Sequence, residues 1–174
     1  AQILALPLVP SLISRRMEIL IKSKSETGRC LVCDLIQKEI QLKQRLIYET
    51  GAFVAWNPYA SRMPFEVWVA PKNHLGGIHD FDDETCAECA KALLTAMRAL
   101  TDALGDFDYN FSFIDGPVAD PRKEFHGFIR IIPRIAHIAG FELGQDTYIN
   151  THCPEETAKI LREVINKKDW ARGR

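Results

Sequence analysis

Apolar and polar positions repeat along the chain with two different periods, which predict helices and strands in separate groups. Residues 1–10, AQILALPLVP, alternate as in a strand, whereas residues 11–21 carry apolar side chains at helical spacing. The polar, glycine-ended stretch KSKSETG at 22–28 predicts a linker and a domain boundary. Residues 30–44 return to helical spacing and predict a short amphipathic helix.

Strand-like runs dominate the next part of the chain. Three short runs rich in β-branched and aromatic residues predict strands at 45–50, 53–58 and 65–71. A long helix is predicted to follow them, from the N-cap residue Asp82 to Gly105.

The last part of the chain contains two further strand-like runs and one helix. The strands are predicted at 109–115 and 125–134, and the helix begins at Pro154, since proline fits the first helical position. Strands grouped around one long helix and one C-terminal helix indicate an α+β fold, with a mainly antiparallel sheet packed against both helices.

The composition argues against several classes of function. The 174 residues are 47% hydrophobic and 26% charged, with a net charge of −1. This balance gives no excess of positive charge that would favour binding to nucleic acid. No apolar run approaches the roughly 18 residues of a membrane span. Five cysteines without an export signal indicate reduced thiols, so we expect a cytoplasmic protein.

Four of the cysteines form two C-x-x-C pairs with different surroundings. Cys30 and Cys33 begin a helix after the glycine-ended stretch, where two thiolates can bind one zinc ion, act as a redox pair or be buried as thiols. Cys86 and Cys89 lie on the apolar stripe of the long helix and are predicted to pack in the core. Cys153 is assigned no function.

Histidines could complete a metal site with the first pair. His74 follows a strand end and His126 lies in a predicted strand, although spacing alone leaves their convergence open. In that strand His126, Phe128 and Arg130 share one face, a pattern found beside binding sites and also on solvent-facing strands. Glu142, isolated in AGFELG, is either a solvated loop carboxylate or an acceptor for hydroxyls or a cation.

Four segments, in order and with matching spacing, resemble the C-terminal half of the galactose-1-phosphate uridylyltransferase family. That family belongs to the histidine-triad superfamily of nucleotidyltransferases and hydrolases. The segments are GRCLVCDLI, RLIYETGAFVAWNPYASRMPFEVWVAPKNH, FHGFIRIIPRIAHIAGFELG and YINTHCPEETAKILREV. They look closest to the branch with prokaryotic uridylyltransferase-like proteins and plant ADP-glucose phosphorylase.

The resemblance implies that the chain is the second of two histidine-triad-like repeats. The first repeat of family members ends in a strand with His-Pro-His-x-Gln, whose second histidine attacks the α-phosphate of a nucleotide sugar. Ala1-Gln2 resembles the last two positions of that motif, so Gln2 would contact phosphate and the nucleophile would lie just before Ala1. Residues 1–28 would then be the last strand of a missing N-terminal repeat plus a linker helix, and residues 29–174 the C-terminal repeat.

The family pattern also implies a metal site. The matching positions are Cys30, Cys33, His74 and His126, a closed set of two thiolates and two imidazoles of the kind that binds structural zinc. In the uridylyltransferase of some bacteria the C-terminal repeat instead holds iron through a different set of histidines. Zinc is therefore the expected metal, and iron is the less favoured one.

Substrate contact, rather than catalysis, is what the resemblance implies for this repeat. Phe128 stands where a catalytic repeat has its nucleophilic histidine, and because a phenyl ring cannot attack phosphorus, no catalytic residue is expected in this chain. The residues expected to contact substrate are Gln2, His137, Gly140, Phe141 and Glu142. Gly140 would allow close backbone approach, and Glu142 would accept hydrogen bonds from sugar hydroxyls. Relatives carry a different residue at position 137, which leaves substrate choice open.

We therefore expect the C-terminal portion of a sugar-phosphate nucleotidyltransferase that binds a nucleotide sugar and a sugar phosphate and is inactive as residues 1–174 alone. The alternatives are adenylyl transfer of the ADP-glucose phosphorylase type, a non-catalytic zinc-stabilised module that binds nucleotides or sugar phosphates, and a redox protein that uses Cys30 and Cys33. The resemblance further implies a homodimer.

Overall fold

The structure, a computed structural model, describes residues 7–117 and 124–167. Its helices and strands, in chain order, are α1 (Ser11–Thr27), α2 (Leu31–Leu42), β1 (Leu46–Glu49), β2 (Phe53–Trp56), β3 (Val67–Pro71), α3 (Asp83–Leu104), β4 (Tyr109–Ile114), β5 (Phe128–Pro133), α4 (Gly140–Gln145) and α5 (Pro154–Lys167). A single turn of 3₁₀-helix lies at Ile78–Asp80.

The strands form one sheet in the order β1-β2-β3-β5-β4, and every pairing in it is antiparallel. Side chains alternate across it because successive strand residues point to opposite faces. One face packs against α3 and α5, and its buried strand residues include Val67, Val69 and Ile131. The other face packs against α1 and α2 and includes Val54 and Phe128. The α+β fold with an antiparallel sheet is therefore confirmed.

The prediction that the helix stops before residues 22–28 is wrong, because α1 continues to Thr27 and is capped by Gly28, whose φ is +73°. Lysine and glutamate are good helix formers, and nothing between Pro10 and Gly28 breaks the helix. The polar composition of 22–28 reflects an exposed helix surface. Residues 1–6 of the predicted first strand, including Gln2, lie outside the described residues, and 7–10 form no strand.

The long helix α3 begins as predicted, with the Asp82 carboxylate accepting a 2.8 Å hydrogen bond from the backbone N–H of Thr85. Its buried stripe runs along small residues, among them Ala92, Ala96 and Ala99, so the helix can lie close to the sheet. Cys89 is buried as predicted, whereas the prediction for Cys86 is wrong: its side chain is exposed because the buried face is rotated away from it.

None of the described helices combines the length and the hydrophobicity that a membrane crossing requires.

Candidate metal centre and an arginine-lined cleft

Cys30, Cys33, His74 and His126 meet at one end of the sheet. Cys30 is the N-cap of α2 and Cys33 lies in its first turn. His74 follows β3 and His126 precedes β5, and because these antiparallel neighbours run in opposite directions, both histidines lie at the same end. One ligand atom from each of the four residues lies within 4.8 Å of the other three.

The two distances that involve the Cys33 sulfur fit a tetrahedral ion. The Cys33 Sγ lies 3.6 Å from His74 Nδ1 and 3.3 Å from His126 Nδ1. Bond lengths of about 2.3 Å to sulfur and about 2.0 Å to nitrogen give tetrahedron edges of about 3.3–3.8 Å. The donor chemistry also fits zinc, since two thiols and two imidazoles form one of its common structural ligand sets.

His126 is fixed before any ion binds. Its side chain is completely buried, and its Nε2–H donates a 2.9 Å hydrogen bond to the Pro71 carbonyl. This bond leaves the Nδ1 lone pair directed at Cys33, as is typical of metal-binding histidines. Burial lowers the pKa of His126 to about 4, so the imidazole is neutral at pH 7. His126 was predicted in the strand itself, which is wrong by two residues, because β5 begins at Phe128.

The Cys33 thiol is protonated in the absence of a cation. Burial, followed by the neighbouring Cys30, raises the pKa of Cys33 to about 12. A bound cation would favour the thiolate and release that proton.

A second feature is a cleft of about 480 Å³ on the sheet face that also holds α1. It is lined by Arg62, Met63, Asp108, Asn110, Arg130, Ile132, Arg134, Ala136, His137, Ile138 and Tyr148. Its floor is β4 and β5, where Asn110 pairs with Ile132, and its wall is the segment after β5. Three arginines and one carboxylate, that of Asp108, make the lining cationic.

A buried carboxylate holds the central arginine of this cleft. Glu66 is 2% exposed, and it accepts hydrogen bonds from Arg130 Nε at 2.7 Å, from Trp68 Nε1 at 2.8 Å and from the backbone N–H of Arg62 at 2.9 Å. The residue before it, Phe65, has a φ of +58°, a left-handed conformation that turns the chain into β3. The network fixes the Arg130 guanidinium at the floor of the cleft.

Phe128, predicted to stand in place of a nucleophilic histidine, is nearly fully buried in an aromatic stack. Its ring is 6% exposed and stacks on Trp68 with centroids 4.2 Å apart. The Arg16 guanidinium carbon lies 5.5 Å from the centre of the Phe128 ring. An aromatic stack under an arginine offers no group that could attack a phosphate.

Among the described residues predicted to contact substrate, His137 lines this cleft. Gln2 lies outside the described residues. Gly140, Phe141 and Glu142 follow His137 in the sequence and lie in α4, so the alternative that placed Glu142 in a loop is wrong. Phe141 is 57% exposed, and the Glu142 carboxylate accepts a 3.1 Å hydrogen bond from the backbone N–H of Ala139. A Cβ at Gly140 would meet no atom within 4 Å, so within the described chain nothing requires glycine there.

Sequence reasoning missed most of the cationic lining. Arg130 alternates with Phe128 along the predicted strand, but Arg62 lies before β3 and Arg134 just past the end of β5. Only the pairing of β3 with β5 brings residues 62–66 beside Arg130, and no local spacing shows it. The usable signal was Glu66, a charged residue within an otherwise apolar run, FEVWVAP.

Comparisons with known proteins identify curated relatives of this chain. No protein-family model matches the chain. ADP-glucose phosphorylase of Arabidopsis thaliana is 33% identical over 167 residues, which cover 94% of this chain and 46% of that protein. Galactose-1-phosphate uridylyltransferase of Thermotoga maritima is 32% identical over 173 residues, 94% of this chain and 54% of that protein.

A solved structure shows the same relationship in three dimensions. The crystal structure of ADP-glucose phosphorylase from Arabidopsis thaliana with bound ADP-glucose matches 91% of this chain and 51% of its own, with a TM-score of 0.82 and 33% identity. The chain spans about half the length of the curated relatives it matches. Sequence and fold together show that this chain is a homologue of proteins named galactose-1-phosphate uridylyltransferase and ADP-glucose phosphorylase, and that it has the fold of the solved phosphorylase.

Proposed function

We propose that this chain is the substrate-contacting, zinc-stabilised portion of a nucleotidyltransferase that acts on a nucleotide sugar and a sugar phosphate. The observation that carries the proposal is the match to a phosphorylase whose crystal structure holds ADP-glucose, over 91% of this chain at 33% identity. Relatives named as uridylyltransferase and as phosphorylase both fit such a reaction, so the base and the sugar are left to experiment.

The nucleophilic histidine, in this proposal, is supplied from outside the 174 residues. Its support is Phe128, which occupies the matching position here and is enclosed between Trp68 and Arg16. Covalent transfer through histidine requires a free imidazole nitrogen in line with the α-phosphorus. Gln2, in the segment resembling the end of the nucleophile strand, would donate a hydrogen bond to a phosphoryl oxygen.

The segment after β5 supplies the sugar contacts in this proposal. His137 faces the cleft, and Phe141 is exposed for contact with a ligand ring. The Glu142 carboxylate caps the first turn of α4 and retains lone pairs that can accept hydrogen bonds from vicinal hydroxyls. Gly140 precedes both residues without a side chain that could obstruct the ligand.

Cys30, Cys33, His74 and His126 hold a structural zinc ion in this proposal. Four protein ligands complete a tetrahedron, so such an ion contributes stability and leaves no coordination position for substrate. The proposal predicts about one zinc per chain in purified protein. Cys33→Ser should abolish zinc retention after dialysis, whereas Cys86→Ser, an exposed cysteine on α3, should leave it unchanged. Equal zinc content in both variants, measured by mass spectrometry, would contradict the assignment.

The activity test uses the full protein and residues 1–174 in parallel. Each is assayed with UDP-glucose plus galactose 1-phosphate, and with ADP-glucose plus phosphate. The full protein should turn over one pair, and Glu142→Gln should lose at least about tenfold in kcat/KM, as expected for a lost hydrogen bond to substrate. Leu143→Ala, which changes a 76% exposed neighbour, is the control. Turnover by residues 1–174 alone would refute the external nucleophile.

A non-catalytic binding module is the second candidate, because Phe128, enclosed at the position in question, cannot act as a nucleophile. The two candidates differ in one result. If the full protein binds a nucleotide sugar but transfers no nucleotidyl group to any acceptor tried, the module is favoured.

A further inference from the structure

We propose that the arginine-lined cleft is an anion site that binds the phosphate group of a phosphorylated ligand in this chain itself. Arg62, Arg130 and Arg134 would bind the phosphate oxygens, while Glu66 positions Arg130 from below. The inference rests on the proposed function only in the choice of a sugar phosphate as probe. Its physical basis is the charge and geometry of the cleft.

The first step is the excess of positive charge. Arg62, Arg130 and Arg134 line the cleft together with one carboxylate, Asp108. Within residues 7–117 and 124–167, Arg130 forms a salt bridge with Glu66, whereas none involves Arg62 or Arg134. Three guanidinium groups gathered beside two carboxylates, Asp108 and Glu66, leave an excess of positive charge that favours a bound anion, and their planar donors match phosphate oxygens.

The second step is Arg16, which lies behind the cleft on α1. Its Nη1 atom is buried, and no described residue gives it a hydrogen-bond partner. Burial, followed by the like charges of Arg130 and Arg62, lowers the pKa of Arg16. A guanidinium held against two others is disfavoured by repulsion unless negative charge is nearby. Glu66 supplies one such charge, and a dianionic phosphate would supply the rest.

The third step is the preorganisation of the donors. Arg130 is held by the nearly fully buried Glu66, and the Arg62 guanidinium carbon lies 4.9 Å from the centre of the Tyr148 ring. Donors fixed before binding lose little conformational freedom when the anion arrives. The volume, about 480 Å³, lies within the range of about 300–1,000 Å³ that is usual for small-molecule sites, so a sugar or nucleoside attached to the phosphate has room.

Calorimetric titration with inorganic phosphate, glucose 1-phosphate and unphosphorylated glucose tests the inference. The full protein should bind phosphate and glucose 1-phosphate saturably, more weakly as salt is raised, and should not bind glucose in the same range. Arg134→Gln removes an exposed guanidinium without disturbing the salt bridge between Glu66 and Arg130. It should weaken the binding of phosphate and of glucose 1-phosphate at least about tenfold, as expected for a lost charge-assisted hydrogen bond. Arg62→Gln should act in the same direction.

Lys159→Gln is the matched control, since it removes one positive charge from an exposed position on α5, on the opposite face of the sheet. Its phosphate affinity should equal that of the wild type, and unchanged melting temperatures would show that all three variants fold. Absence of saturable phosphate binding, equal binding of glucose, or full affinity in both arginine variants would each overturn the inference. Phosphate binding without nucleotidyl transfer would support the anion site while refuting the proposed function, so the two failures are distinguishable.

Discussion

Removal of the buried Glu66 carboxylate should be among the most destabilising single changes at the cleft. Glu66 bonds Arg130, Trp68 and the backbone of Arg62, and its side chain is 2% exposed. The Arg130 side chain is 15% exposed, so water cannot replace the lost partner fully. Because breaking a buried ion pair leaves one uncompensated charge, Glu66→Ala should lower the free energy of unfolding by about 3–5 kcal/mol.

Two further variants separate charge from packing. Glu66→Gln keeps the shape and an acceptor for Trp68, so its loss should be smaller, about 1.5–3 kcal/mol. Replacing both partners, Glu66→Met with Arg130→Met, should recover much of the stability, since no buried charge is left unpaired. Glu26→Gln is the control, because its contact with Lys22 is a 4.0 Å surface pair that should contribute less than about 0.5 kcal/mol.

The measurement is equilibrium urea denaturation followed by tryptophan fluorescence, which reports on Trp68 directly because that ring touches both Glu66 and Phe128. Denaturant slopes should agree among the variants, so that midpoint shifts measure stability. A Glu66→Ala protein within 1 kcal/mol of the control would refute the view that this ion pair is buried and coupled. A double variant no better than Glu66→Ala would show that the damage comes from lost shape rather than from charge.

Two other changes test the packing that supports the sites, again by urea denaturation. Gly127→Ala should lower the free energy of unfolding by about 1–3 kcal/mol, because the new Cβ would lie 2.6 Å from the Gly77 Cα. Gly144→Ala is the control, because its Cβ would meet nothing within 4 Å and should not destabilise the protein. Leu100→Ala, at a fully buried site under the sheet, should lower the free energy of unfolding by about 2–5 kcal/mol. Leu94→Ala, at a 51% exposed position on the same helix, should change it by less than about 0.5 kcal/mol. Equal losses within either pair of variants would contradict the packing described above.

Helices and strands whose apolar residues recur at a clear period were predictable from the sequence, because those apolar residues form the face that packs against the core. The strands near 45–71 and the capped helix from Asp82 are found within a few residues of their predicted bounds. Polar composition and glycine content each led to a wrong prediction, because neither excludes a helix. Residues 22–28 are polar because one side of α1 is exposed, and AGFELG forms a short helix, although it contains two glycines.

Only two of the four candidate metal ligands could be predicted from spacing. The C-x-x-C pair is local, since one helical turn brings Cys30 and Cys33 together. His74 and His126 lie 52 positions apart, and the pairing of β3 with β5 unites them. The family resemblance supplied that information, whereas composition and period could not. For the arginines of the cleft no resemblance was available, so only the three-dimensional structure brings them together.

Strand β5 connects the two candidate sites physically. His126 precedes it, Arg134 follows it, and its six residues span about 20 Å. Arg130 lies opposite Trp68 in the ladder, next to Glu66, and a slip by one residue would turn the Arg130 side chain to the α3 face. The buried bond from His126 to the Pro71 carbonyl fixes that register at one end of the strand. The contacts that hold His126, with the Pro71 carbonyl and with Cys33, therefore also determine where the cationic floor of the cleft lies, although these residues do not line the cleft.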